Sequence, residues 1–258
     1  MLISTMNQKD TRILKEMNIK SKAVIINQIV CSQTEIPKSL NTNDIKFLSK
    51  REKGLSKSRN NALLAATENI CVICDDDMHY VENYEKIIEN EYNKKSDSDI
   101  IVFHVEGLGK LKLSGEKNIN FLTSMKISSV QVTFKRKSIL ESNIFFNENF
   151  GSGSTFIAGE ENIFLLECLK RNLKITYVPV TIGSIRQSKS TWFSGYNDEY
   201  FVSKGAFFYC ASKIFYIPLI FQFAIRKHNI YKKDQSMIKA IKLMLSGRKA
   251  YLRILGQK

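Results

Sequence analysis

The chain has 258 residues, 43% of them hydrophobic, enough for one large domain, or one domain with an appendage, around a sizeable core. Only 3 prolines and 12 glycines, with no internal repeat or low-complexity tract, argue against a long flexible linker. The formal charge of +14 admits nucleic acid, an anionic membrane surface or a phosphorylated substrate as partner, and five cysteines scattered through apolar segments suit a reducing cytoplasm better than a disulfide framework.

In chain order, "MLIST" reads as a strand, and "MLISTMNQKD" turns polar too soon for a signal peptide, so nothing marks the chain for secretion. A helix-like "TRILKEMN" follows, then the strand "KAVIINQ", a loop and the strand "IKFLS". The next helix runs through Leu63 and Ala66 with Ser56 as its expected N-cap, placing Lys57, Arg59 and Asn60 near the first turn. Free N–H groups and the positive dipole end make that turn suited to a phosphate, although first-turn Lys and Arg are also found as solvated charges. The strand "NICVICDDD" then closes on Asp75, Asp76 and Asp77, three like charges that repel unless something positive joins them. Cys71 and Cys74 have CxxC spacing, but Val and Ile lie between them and no second pair accompanies them, so they read as core rather than as a zinc or redox site.

Further along, "SDIIVFHVEG" reads as a strand and "SSVQVTFKRKSIL" as a strand running into a helix. "GEENIFLLECLKRNLKITYVPVTIGS" reads as a helix followed by a strand, with Ile163, Leu166 and Leu169 marking a buried stripe widened by Phe164, Leu165 and Cys168. Glu160 and Glu161 open that helix, where acids complement its dipole. Strands alternating with helices predict an α/β fold with a mostly parallel central sheet, whose ligands gather beyond the carboxyl ends of the strands.

From about Gly205 the chain changes character. "GAFFYCASKIFYIPLIFQFAI" approaches the roughly 20 residues of a membrane span, yet Lys213 and Pro218 make spanning costly. Between Arg226 and Lys258 ten Lys or Arg face Asp234 alone, so nine of the fourteen net charges lie there. Two readings stay open: a helical extension packed on the sheet, or peripheral attachment to an anionic leaflet.

Taken together and in this order, "KGLSKSRNNAL", "ICDDDM" and "GEENIFLLECLKR" resemble three motifs of the GT-A nucleotide-sugar glycosyltransferases of family 2: Gly-Leu-Ser-x-x-Arg-Asn, Asp-x-Asp, and the Glu-Asp helix. The resemblance covers residues 1–190 and implies a GT-A (Rossmann-like) catalytic domain, leaving residues 191–258 as an aromatic, basic helical extension. It implies an inverting, hexosyltransferase-like enzyme that moves a sugar from a nucleotide-diphosphate donor, a UDP-sugar first, to a lipid-linked or surface saccharide. The expected location is the cytoplasm, either soluble or peripheral on the inner face of the plasma membrane, with no nucleic acid partner.

By the same resemblance Thr5 and Asn7 line the nucleoside pocket, Ser56 and Arg59 approach the diphosphate, and Asp75 faces the ribose. Asp77, with Asp75, holds a divalent Mn or Mg, while Asp76 stands beside them or is solvated. Asn27 stands where the family has an aspartate, which leaves the base open. Glu161 is the base that takes the acceptor proton and Glu160 orients it or contacts the acceptor. After "ITYVPV" the family's histidine is missing, which weakens the case for a metal; Arg186, with Gln187 beside it, is the replacement, a phosphate ligand or a surface residue. His79 reads as a loop histidine before it reads as a ligand, and Trp192 as a sugar platform or a loop pin. A nucleotidyltransferase would share the acidic α/β site but needs a Gly-rich basic signature that "STMNQKDTR" lacks. A basic nucleic-acid-binding protein would leave both acid clusters idle.

Overall fold

The structure, a computed structural model, describes residues 1–30, 37–108, 115–186, 193 and 195–256. Two compact units are present: the first comprises Met1–Lys53, Lys57–Phe146 and Phe164–Lys189, the second Gly54–Ser56, Asn147–Ile163 and Ser190–Lys258.

Among the described residues the first unit is built on a ten-stranded sheet: β1 (Leu2–Met6), β2 (Ala23–Gln28), β3 (Leu40–Asn41), β4 (Ile45–Lys50), β5 (Ile70–Asp75), β6 (Met78–Tyr80), β7 (Ile100–Glu106), β8 (Lys117–Asn118), β9 (Val132–Lys135) and β10 (Ile175–Ile185). Their order is β3-β4-β2-β1-β5-β9-β7-β10-β6, with β8 pairing β10. Pairing is parallel for β1 with β2 and β5, for β2 with β4, and for β7 with β10, while β9 lies antiparallel between β5 and β7. The six long strands β1, β2, β4, β5, β7 and β10 therefore run one way, and their carboxyl ends share one edge of the sheet. This is the mostly parallel α/β sheet that the alternation of elements predicts.

Side chains alternate between faces along each strand, and both faces are covered. Ile3, Ile25, Val72, Cys74, Ile101 and Phe103 enter one core; Leu2, Val24, Ile26, Cys71, Ile73 and Val102 enter the other. Cys71 and Cys74, three residues apart on one strand, thus point to opposite faces and cannot chelate together. Both are free and buried, as the core reading expects.

The helices of this part of the chain are α1 (Ile13–Glu16), α2 (Leu55–Ala65), α3 (Tyr84–Lys94), α4 (Phe121–Ser124), α5 (Arg136–Glu141) and α6 (Glu160–Lys170). On α3 the buried stripe is Tyr84, Ile88 and Tyr92, at four-residue spacing within a charged sequence. On α6 Ile163, Phe164, Leu165, Leu166 and Cys168 are buried and Leu169 packs partly buried against the same core, which agrees with the stripe read from the sequence except at Leu169.

The second unit holds α7 (Asp198–Ala211), α8 (Tyr216–Arg226), α9 (His228–Tyr231) and α10 (Met237–Gly256). Asn197 caps α7 by accepting from the Tyr200 amide at 2.9 Å. Gly205 and Gly247 let α7 and α10 come together: a Cβ on Gly205 would lie 1.8 Å from the Met244 carbonyl oxygen, and one on Gly247 2.1 Å from that of Val202. Phe150, Phe156 and Tyr251 form an aromatic cluster with ring centroids 4.9 to 6.0 Å apart. Pro218 sits in the first turn of α8, where its missing N–H costs no helical bond. Among the described residues, no helix is long and apolar enough to cross a membrane.

Candidate functional site

Parallel register brings the polar residues of the first unit together. Thr5 of β1 lies opposite Asn27 of β2, and Ser4 opposite Asp75 of β5. Asp76 and Asp77 form the turn from β5 to β6, while Ile185, the last residue of β10, pairs with Met78. Arg186 follows at once, and its amide donates to the Asp77 carbonyl at 2.9 Å. Thr5, Asn27, Asp75, Asp76, Asp77 and Arg186 thus gather at or next to the carboxyl ends of the parallel strands, where open α/β sheets take ligands.

The charge problem posed by three consecutive acids is relieved from α2. The Arg59 guanidinium, only 1% exposed, donates through Nη2 to Asp75 Oδ1 at 2.8 Å, and Ser129 Oγ donates to Asp75 Oδ2 at 3.1 Å. Thr5 Oγ1 donates to Asp76 Oδ2 at 2.7 Å and itself accepts from Gln8 Nε2 at 3.2 Å. Asp75 is therefore fixed by a buried cation and a hydroxyl, and Asp76 by β1.

The start of α2 is unusual in burying polar side chains, which globular proteins do only where each is paired. Ser58 Oγ donates to Ser4 Oγ at 2.9 Å. Asn60 holds both main-chain groups of Phe146, donating to its carbonyl at 3.0 Å and accepting from its amide at 2.8 Å. Ser56 departs from the sequence reading. The helix begins at Leu55, so Ser56 lies inside the first turn, and its hydroxyl donates to the Phe150 carbonyl at 2.7 Å rather than capping an N–H. Gly54, with φ at +119°, takes the residue before the helix in a conformation that serine would adopt only under strain.

Asn27 is fully buried with its amide turned inward: Oδ1 accepts from the Gln8 amide at 2.8 Å, and Nδ2 donates to the Gln8 carbonyl at 2.8 Å and to Ser49 Oγ at 3.3 Å. It anchors the chain after β1. Asn7, exposed and left-handed at φ +53°, accepts from the Val30 amide at 3.3 Å. His79 is placed in β6 with its Nδ1 at 3.0 Å from the Glu16 carbonyl, and the half-exposed Arg186 guanidinium lies 3.9 Å from the Glu16 carboxylate.

Glu160 and Glu161 are the first two residues of α6, in the second unit. Glu160 is buried; a Cβ on Gly151, which has φ +108°, would come within 3.2 Å of the Glu160 carboxyl carbon, so glycine there leaves room for the acid. Glu161 is half-exposed. Trp192 and Gln187 lie outside the described residues. Sequence reasoning passed over Ser4, Gln8, Ser58 and Ser129, because an isolated small polar residue carries no signal until the fold places it beside its hydrogen-bond partner.

No group of three His, Cys, Asp or Glu that could hold a metal ion exists among the described residues. A Mg²⁺ or Mn²⁺ beside a diphosphate needs only one or two carboxylates, the phosphates and water supplying the rest. The donor set fits that shared arrangement through Asp77 and the remaining lone pairs of Asp76 and Asp75, each oxygen of Asp75 accepting one hydrogen bond from the protein. A small cavity lined by Met1, Lys22, Asp44, Lys46 and Cys71 lies at the other, amino ends of the strands.

No family model matches the chain, and no curated protein matches it in sequence. Among solved structures it is similar to S. aureus TarS 1-349 in complex with UDP-GlcNAc, with a TM-score of 0.60, 12% identity, and 90% of this chain and 73% of that one covered. A second structure of TarS 1-349 has a TM-score of 0.57 at 10% identity, covering 96% and 91% of the two chains. The mannosyltransferase PcManGT from Pyrobaculum calidifontis, in complex with GDP-Man and Mn²⁺, has a TM-score of 0.50 at 12% identity, covering 96% and 71%. At such identities the likeness is one of fold. The chain has the GT-A-type α/β fold.

Proposed function

We propose that the protein is a nucleotide-sugar glycosyltransferase of the inverting, family 2 kind. The observation that carries this reading is the cluster of Thr5, Asp75, Asp76, Asp77 and Arg186 at the carboxyl ends of a GT-A-type sheet, on a fold shared with structures in complex with UDP-GlcNAc and GDP-Man. Arg59 acts by fixing Asp75, whose carboxylate takes the ribose hydroxyls. Asn7, Asn27 and Thr5 shape the nucleoside end. Ser56 sets the first turn of α2 near the diphosphate, and Arg186, half-exposed and tied to the Asp77 main chain, supplies a fixed cation to it.

A divalent Mn or Mg, held by Asp77 with Asp76 or Asp75 and the substrate phosphates, would neutralise charge on the departing diphosphate. Glu161 accepts the proton of the acceptor hydroxyl as its oxygen bonds to the anomeric carbon. The bond from that carbon to the diphosphate oxygen breaks on the opposite face, inverting the centre. Glu160, confined beneath Gly151, orients this end of α6, and Trp192 is the platform for the acceptor ring. The acceptor is a lipid-linked or surface saccharide, met by residues 191–258 as a peripheral extension on the inner face of the plasma membrane.

The test is release of nucleoside diphosphate from UDP-, GDP- and other nucleotide sugars with and without Mn²⁺, repeated for Asp77→Ala. Turnover of at least one donor, lost in the variant, is expected. Equal release by the wild type and Asp77→Ala would contradict the assignment.

A further inference from the structure

Within the second unit the apolar stretch after Gly205 divides into two unlike parts. Phe207 and Phe208 of α7 are buried, whereas α8 buries Ile220 and Ala224 and turns Ile217, Phe221 and Ile225 outward at four-residue spacing. Those three are 43%, 45% and 63% exposed, and the corner before the helix adds Ile214 at 80% and Phe215 at 60%. A surface helix of a water-soluble protein carries polar residues on that face, and apolar side chains gathered on one element mark an interaction site. Exposed Lys213, Arg226 and Lys227 stand at the two ends of this face, and no Asp or Glu occurs between Glu199 and Asp234.

At about 1.5 Å per residue α8 spans roughly half of a bilayer's hydrocarbon core. Its geometry suits lying in the surface plane with its apolar face down and its cations among the headgroups. We propose that α8 and the α7–α8 corner seat this protein on an anionic phospholipid surface, with Ile214, Phe215, Ile217, Phe221 and Ile225 entering the acyl boundary and Lys213, Arg226 and Lys227 meeting lipid phosphates. Charge decides the occupant. A second copy docked through the same face would bring these cations near their own equivalents with no acid to pair them, and a nucleic acid has no use for the apolar crest. This rests on the membrane-peripheral part of the proposed function and gives it an element and a ligand class.

The full chain is sedimented with vesicles of phosphatidylcholine alone and of phosphatidylcholine with phosphatidylglycerol. Binding to the mixed vesicles and not to the neutral ones is expected. A Phe215→Ser, Phe221→Ser double variant should bind more than about tenfold more weakly while its circular dichroism shows the fold retained, since about half of each ring is exposed. An Arg226→Gln, Lys227→Gln double variant, which removes no packing, should weaken binding and make it less sensitive to salt. Absence of binding to the mixed vesicles, binding unaltered in both variants, or a serine variant that changes only the sedimentation mass of the free chain would overturn the proposal. Nucleotide-sugar stabilisation measured on the same samples separates the outcomes: lost vesicle binding with retained donor binding removes this inference and leaves the transferase reading standing.

Discussion

At the scale of single residues, Asp75 is the pivot of the carboxyl-end cluster, joined to a buried arginine from α2 and to Ser129. Asp75→Asn leaves the Arg59 guanidinium, 1% exposed, without its anionic partner there, which should cost about 3 kcal/mol, the low end for broken buried pairs because Asp75 itself is one-third exposed. Asp77→Ala, at a half-exposed turn residue, should change stability by less than about 1 kcal/mol. Urea unfolding of the two variants tests the contrast; equal losses would show that both acids are scaffold. For the proposed base, Glu161→Gln keeps volume and removes the proton acceptor, so transfer should fall by about 10²-fold or more with donor affinity unchanged. A titration calorimeter beside the transfer assay reads both quantities, and a parallel loss of donor affinity would move Glu161 from chemistry to binding.

Elements were legible in proportion to how plainly their burial shows in one dimension. The runs "MLIST", "KAVIINQ", "NICVICDDD" and "SDIIVFHVEG" are covered on both faces and carry continuous apolar residues, so β1, β2, β5 and β7 could be read directly. Helix α3 could not, because Tyr84, Ile88 and Tyr92 are dispersed among charges and only three-dimensional spacing reveals their stripe. The start of α2 was legible as a polar motif but not in its use: Ser56, Ser58 and Asn60 hold the main chain and β1, which no local pattern reveals. The C-terminal glycines make the opposite case, since nothing in the sequence says that Gly205 and Gly247 face partner backbones. Gly205→Ala would drive its methyl into the Met244 carbonyl and should cost about 3 kcal/mol or more, seen as a lowered melting midpoint. A Gly256→Ala control, with open space around its Cβ, should be near neutral; equal midpoints for the two would contradict the close helix contact.

For the whole molecule, the positive charge and the cysteines were readable as totals, and the fold supplies their placement. Burial pushes the Cys71 thiol up to about 11 from an ordinary 9.0, and raises Cys74 and Cys168 as well. A folded pKa above the unfolded one means that this contribution to stability is complete below about pH 9 and is lost as pH rises toward 11. Thermal midpoints should therefore decline across that window, and iodoacetamide at pH 8 should leave these three cysteines unmodified until the chain unfolds; rapid native labelling of Cys71 would refute its core placement. The paired positions of Thr5, Asp75, Asp76 and Arg186 became visible only when register aligned the strand ends. Three-dimensional placement of these acids, rather than composition, supports the proposed chemistry. The most direct measurement of that claim is thermal stabilisation by a panel of nucleotide sugars with Mn²⁺. The account predicts a raised midpoint with at least one UDP- or GDP-sugar that disappears in Asp75→Asn and Asp77→Ala, and no shift with any donor, or the same shift in both variants, would contradict it.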